Sequence, residues 1–98
     1  LESAPRPVRH EGEYRLDWDA SISPGTSCRL QVRSAPSVQA LEQLPFVGPD
    51  GRAEGYFEIP GSTFRVAAPG LVQYRVTLKS DNPALSPYLK RVTIRWSG

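Results

Sequence analysis

The sequence predicts an all-β fold, an antiparallel sandwich of two sheets with at most one short helix near residues 37–44. Three observations predict it. Several stretches alternate apolar and polar residues with the two-residue period of a half-buried strand. Turn residues recur throughout the 98 residues, with ten Pro and eight Gly among them. The strands so delimited lie too close together for βαβ crossovers, which need about a dozen or more intervening residues. A count of about seven short strands with turns roughly every ten residues favours a sandwich.

Residues 1–12, "LESAPRPVRHEG", read as a linker that contributes an edge strand around Val8, and residues 13–98 as one sandwich domain. "EYRLDWD" places Tyr14, Leu16 and Trp18 on one face and Glu13, Arg15, Asp17 and Asp19 on the other. Pro24 and Gly25 turn the chain. "CRLQVRS" then points Cys28, Leu30 and Val32 inward and Arg29, Gln31 and Arg33 outward. "SVQALEQL" is the helical candidate, capped by Ser37 and bracketed by Pro36 and Pro45. "FVGPDGRAEG" is a loop built on Pro49, Asp50 and Gly51. "YFEI" and "STFRV" are short strands parted by Pro60 and Gly61. The stretch from Val72 to Trp96 reads as a hairpin, with Val72, Tyr74, Val76, Leu78, Val92, Ile94 and Trp96 on its apolar face. Its other face carries Gln73, Arg75, Thr77, Lys79, Arg91, Thr93 and Arg95.

Composition excludes several function classes. A hydrophobic fraction of 39% argues against disorder. No apolar run approaches the ~20 residues of a membrane span. A net charge of +2 is too mild to argue for nucleic acid. Cys28 is the only cysteine and His10 the only histidine, so no internal disulfide and no structural zinc site is expected. No glycine-rich phosphate loop or serine elbow is present. Asp50, Asp81 and Asn82 have turn chemistry before calcium chemistry, which asks for six to eight oxygens. No metal and no cofactor is expected. Asp17 and Asp19 on an exposed strand face lack the apolar pocket a glycosidase acid needs, so no catalytic residues are expected. The start at Leu1, with no charged-then-apolar leader after it, reads as a piece of a larger or processed protein.

The order of "EYRLDWD", "CRLQVRS", "QYRVTL" and "VTIRW" resembles a fibronectin type III-like sandwich. Trp18 stands where that family carries an inward Trp on its second strand, and Tyr74 where it carries a Tyr near the start of the sixth. A jelly roll, common in carbohydrate-binding modules, fits the same pattern. The longer phrasing from Trp18 through "LQVRSA", "FVGPDG" and "QYRVTL" to "SPYLKRVTIRW" resembles β-sandwich modules appended to bacterial secreted proteins, many of them active on polysaccharides. The region from Ser37 to Pro60 departs from fibronectin strand spacing. The fibronectin resemblance implies that the third, sixth and seventh strands share one sheet. Arg33, Gln73, Arg75, Arg91, Thr93 and Arg95 would then form one outward platform, with Arg75 beside Thr93.

Such a platform has two readings. Outward polar residues on an antiparallel sheet are ordinarily solvated or packed on a neighbour. Alternatively, Arg offers planar bidentate donors to a carboxylate, and Gln and Thr can bond sugar hydroxyls. Tyr56, Phe57 and Phe46 flank the irregular loop and are the aromatic candidates for stacking on a sugar ring, with Trp18 and Trp96 assigned to the core. The expectation is a non-catalytic, monomeric accessory module of a secreted or cell-surface bacterial protein. It would bind polysaccharide, acidic above neutral, through Gln73, Arg75, Thr93, Arg91, Arg95, Arg33 and Tyr56, or else act as a spacer packed on neighbouring domains.

Overall fold

The computed structural model describes residues 1–81, 84 and 87–97. Its strands are β1 (Arg6–Val8), β2 (Gly12–Ser21), β3 (Thr26–Ala35), β4 (Ser62–Val66), β5 (Gly70–Ser80) and β6 (Tyr88–Trp96), with one helix, α1 (Val38–Glu42), between β3 and β4. They form two antiparallel three-stranded sheets, ordered β1-β5-β3 and β4-β2-β6. The all-β two-sheet expectation therefore holds.

Period-two alternation decides what lies between the sheets. Tyr14, Leu16 and Trp18 of β2 meet Leu30 and Val32 of β3 and Val72 and Val76 of β5 in one buried cluster. Tyr74, Val92 and Ile94 pack against its margin. Cys28, Phe57, Phe64 and Val66 complete it. Phe57 does not belong to a regular strand. It forms an isolated bridge to Leu30, so "YFEI" supplies a core side chain and a pair of backbone bonds in place of the expected strand.

The residues before β2 follow β5. Val76 N–H donates to the Leu1 carbonyl at 2.8 Å and Ser3 N–H to the Tyr74 carbonyl at 2.9 Å, ahead of the β1–β5 ladder. The helix forms as its caps dictate, with Ser37 Oγ accepting from Ala40 N–H at 3.2 Å. Only Leu41 of its residues is buried.

One expectation fails. β5 and β6 are not paired. β5 lies between β1 and β3, while β6 pairs with β2 in the other sheet. The chain crosses from one sheet to the other after Ser80, so the expected register of Arg75 with Thr93 and Thr77 with Arg91 does not exist. Arg75 lies across from Gln31, and Thr93 from Asp17. Both arrangements bury the same apolar faces, which is why alternation alone did not separate them.

Candidate binding face

The crossover divides the expected platform between the two opposite outer faces of the sandwich. Gln73, Arg75 and Arg33 lie on β5 and β3, and Arg91, Thr93 and Arg95 on β6. The two groups do not share a surface.

The first group is covered by the chain itself. The segment between β3 and β4 bonds to the free edge of β3: Val32 exchanges backbone bonds with Val47 at 2.9 and 2.8 Å, and Leu30 with Phe57 at 3.0 and 2.7 Å. Between these anchors the segment doubles back so tightly that a Cβ on Gly48 would fall 2.4 Å from the Gly55 carbonyl carbon. This brings Phe46 down onto the outer face, where it is 5% exposed. The Arg33 and Arg75 guanidiniums lie over its ring, 4.2 and 4.7 Å from the centroid.

The polar groups beneath this cover satisfy one another. Arg75 Nη2 donates to Gln31 Oε1 at 2.6 Å, and Gln31 Nε2 donates to the Ala53 and Gly55 carbonyls at 2.7 and 2.9 Å. Arg33 Nε donates to Gln73 Oε1 at 2.9 Å and its Nη1 to the Leu44 carbonyl at 3.0 Å. Gln73 Nε2 donates to the Ser3 carbonyl at 2.7 Å. Gln31 and Gln73 are both buried. An amide can be placed there because each of its ends has a partner. Arg33 directly, and Arg75 through Gln31, thus hold the cover in place, while Gln73 ties Arg33 to the N-terminal segment at Ser3, which corrects the expected position of Gln73, Arg75 and Arg33 on an open platform.

The aromatic candidates fare similarly. Phe57 is in the core and Phe46 under the arginines. Tyr56 is half-buried, with the Arg29 guanidinium 4.4 Å from its ring centre. Arg29 also approaches Glu58 at 3.9 Å. Trp18 is core, as expected. Trp96 stacks on His10 with ring centroids 3.9 Å apart and is half exposed at the end of β6.

The outer face of β4-β2-β6 is different. Its outward Arg15, Asp19, Arg91 and Arg95 are exposed. Across β2 and β6 the outward side chains pair as Arg15 with Arg95, Asp17 with Thr93 and Asp19 with Arg91. Ser97 N–H bonds to the Glu13 carbonyl, so the pairs two, four and six residues along that ladder are its hydrogen-bonded ones. A register shift between Asp19 and Ala20 leaves Lys90 as the extra residue of a β-bulge. The bulge resets parity: Leu89 packs against the core and Arg91 still faces out.

These side chains enclose a shallow groove of about 310 Å³, lined by Arg15, Asp17, Trp18, Asp19, Arg91, Thr93 and Arg95. On the β4 side, Arg15 lies over Gly61, where a Cβ would come within 2.7 Å of Nη2; Gly61 also has a φ of +89°. Among the described residues none of the three guanidiniums makes a hydrogen bond or ion pair, and Asp17 accepts only from Trp18 N–H.

Arg15 and the two aspartates join this face because β2 is the partner of β6. The sequence places Glu13, Asp17 and Asp19 outward but on the sheet opposite the Arg-rich strands; the structure instead sets Asp17 and Asp19 beside β6, an arrangement in which surface ion pairs would blunt a ligand site, although none joins them to Arg91 or Arg95 among the described residues. Of the loop residues weighed for calcium, Asp50 Oδ1 accepts from Arg52 N–H in a turn, and Asn82 lies outside the described residues. No group of three or more His, Cys, Asp or Glu among the described residues is placed to hold a metal ion. No described helix is long and apolar enough to cross a membrane. No protein-family model, curated protein or solved structure matches the chain.

Proposed function

We propose that this domain is a non-catalytic accessory module of a larger secreted or cell-surface bacterial protein, and that it binds carbohydrate, acidic polysaccharide above neutral glucan, on the outer face of β4-β2-β6. The observation that carries this reading is the contrast in partnering. The guanidiniums of Arg33 and Arg75 are engaged within the domain, whereas those of Arg15, Arg91 and Arg95 line an open groove and bond to no acceptor among the described residues. The binding set is accordingly Arg91, Thr93 and Arg95 with Arg15, and no longer includes Gln73, Arg75, Arg33 or Tyr56.

The resemblance to modules of polysaccharide-active bacterial proteins supports the ligand class and the location. The groove around Asp17 and Asp19 is open and, Trp18 apart, lined by polar side chains, with no apolar pocket of the kind a catalytic acid needs, which supports a role without catalysis. The bulge at Lys90, with Arg91 and Arg95 beside it, makes the β6 edge a poor template for another strand, which supports a monomer.

The test is affinity electrophoresis in gels containing polygalacturonate or a neutral glucan. Polygalacturonate should retard the domain, the neutral glucan should not, and retardation should weaken between low and moderate salt, since exposed charges are screened over about 8–10 Å. Absence of retardation by either polymer, or equal retardation that ignores salt, would leave the face as a spacer surface packed on a neighbouring domain.

A further inference from the structure

We propose that the groove on β2 and β6 is a seat for one carboxylate of a uronic-acid residue, held between Arg15 on one wall and Arg95 on the other, with Asp17 and Thr93 taking hydroxyls of the same sugar. The inference rests on the reading above and adds the residues, the charge count and the ligand group.

The first argument is the placement of like charges. Arg15 and Arg95 stand opposite each other on the ladder, a placement that disfavours like charges, and the Arg15 guanidinium lies over Gly61, on the side of β2 away from β6. Neither has an acceptor among the described residues, although Asp17 and Asp19 lie on the same face. An anion in the groove between the two arginines offsets this pairing of like charges and meets planar donors suited to a carboxylate. The walls are also set by local structure. Gly61 leaves room for Arg15, and the Lys90 bulge keeps Arg91 on the face while Leu89 stays in the core.

The second argument is charge count. The groove's three guanidiniums face two carboxylates, a net of one positive charge. That balances a single carboxylate. The same two carboxylates are acceptors for hydroxyl donors, so a carboxylate carried on a hydroxyl-rich ring uses both parts of the groove. At about 310 Å³ the groove is at the low end of small-molecule sites, which run from roughly 300 to 1,000 Å³.

Monomeric galacturonate is the probe, followed by ¹⁵N–¹H NMR of the domain, with galactose and sulfate as comparison ligands. Galacturonate should shift the amides of Arg15, Asp17, Thr93 and Arg95 and the Arg15 and Arg95 Nε–H signals, while galactose and sulfate should shift them less. Arg15→Gln and Arg95→Gln should each weaken galacturonate by about threefold to tenfold. Lys79→Gln, the same charge change on the other sheet, should weaken it by less than about twofold. Asp17→Asn should lower the preference for galacturonate over sulfate. Unchanged galacturonate binding in both arginine variants, an equal loss in Lys79→Gln, or no shifts at these residues would overturn the seat. Retardation by polygalacturonate is read separately. If it persists undiminished in Arg15→Gln, the binding module stands and the seat fails; if it is absent while galacturonate shifts Arg15 and Arg95, the seat stands and the polymer reading fails.

Discussion

On the outer face of β1-β5-β3, Arg33 and Arg75 lie over Phe46 and donate to Gln73 and Gln31. On the outer face of β4-β2-β6, Arg15, Arg91 and Arg95 line a groove and touch no acceptor among the described residues. Both faces are built by the same rule, outward residues of alternating strands, and both are rich in Arg. What separates them is the segment between β3 and β4, which is anchored to the β3 edge and so can fold over only one sheet. A guanidinium under that cover is a structural bolt between ring and amide. The same group on the other sheet has no such partner among the described residues.

The largest way to break this contrast is to remove the cover's centre. Phe46→Ala should lower the free energy of unfolding by about 3–5 kcal/mol, the usual range for a buried Phe, because it leaves a cavity under two guanidiniums. A urea titration with a midpoint close to wild type would show that the cover unfolds independently of the sandwich. A matched pair sharpens the contrast further. Arg75→Gln should cost about 1.5–3 kcal/mol, since it removes a charge-assisted bond to the buried Gln31 and a stack on Phe46. Arg95→Gln should change stability by less than about 0.5 kcal/mol in either direction. Equal costs in the two variants would mean that the faces are not physically distinct.

The smallest effect concerns the space between the sheets. Cys28 is buried there, and desolvation holds its thiol above the ordinary value of 9.0. In the unfolded chain the thiol ionises first, so the unfolded state binds fewer protons above that value. The stability contributed by the neutral thiol is present below pH 9.0 and is lost as pH rises through the folded-state value. Wild type should therefore lose more stability than Cys28→Ala between pH 8 and 10, measured as the difference of their unfolding curves, and thiol reagents should react slowly at neutral pH. A pH dependence identical in the two proteins would place Cys28 in contact with water.

Period-two alternation by itself determined which side of its sheet each of Tyr14, Leu16, Trp18, Leu30, Val32, Val72 and Val76 occupies, and all seven are buried together. The caps and prolines around "SVQALEQL" likewise determined a helix of little more than one turn. These are local properties: a side chain's direction follows from backbone period, and a cap from residues within one turn. Only the tertiary structure decided that β6 joins β2 rather than β5, because the inward faces are the same in either arrangement and the choice depends on long-range ladders. Only it decided that residues between β3 and β4 cover Arg33 and Arg75 and that Gln73 bonds to the segment before β1. Phe46 and Phe57 stand in irregular sequence with no period to show what they face, so their burial depends on bonds to β3 that no local pattern encodes. The residue types of a polar face are thus written in its strands, but whether that face meets water or its own chain is settled by the path of a loop.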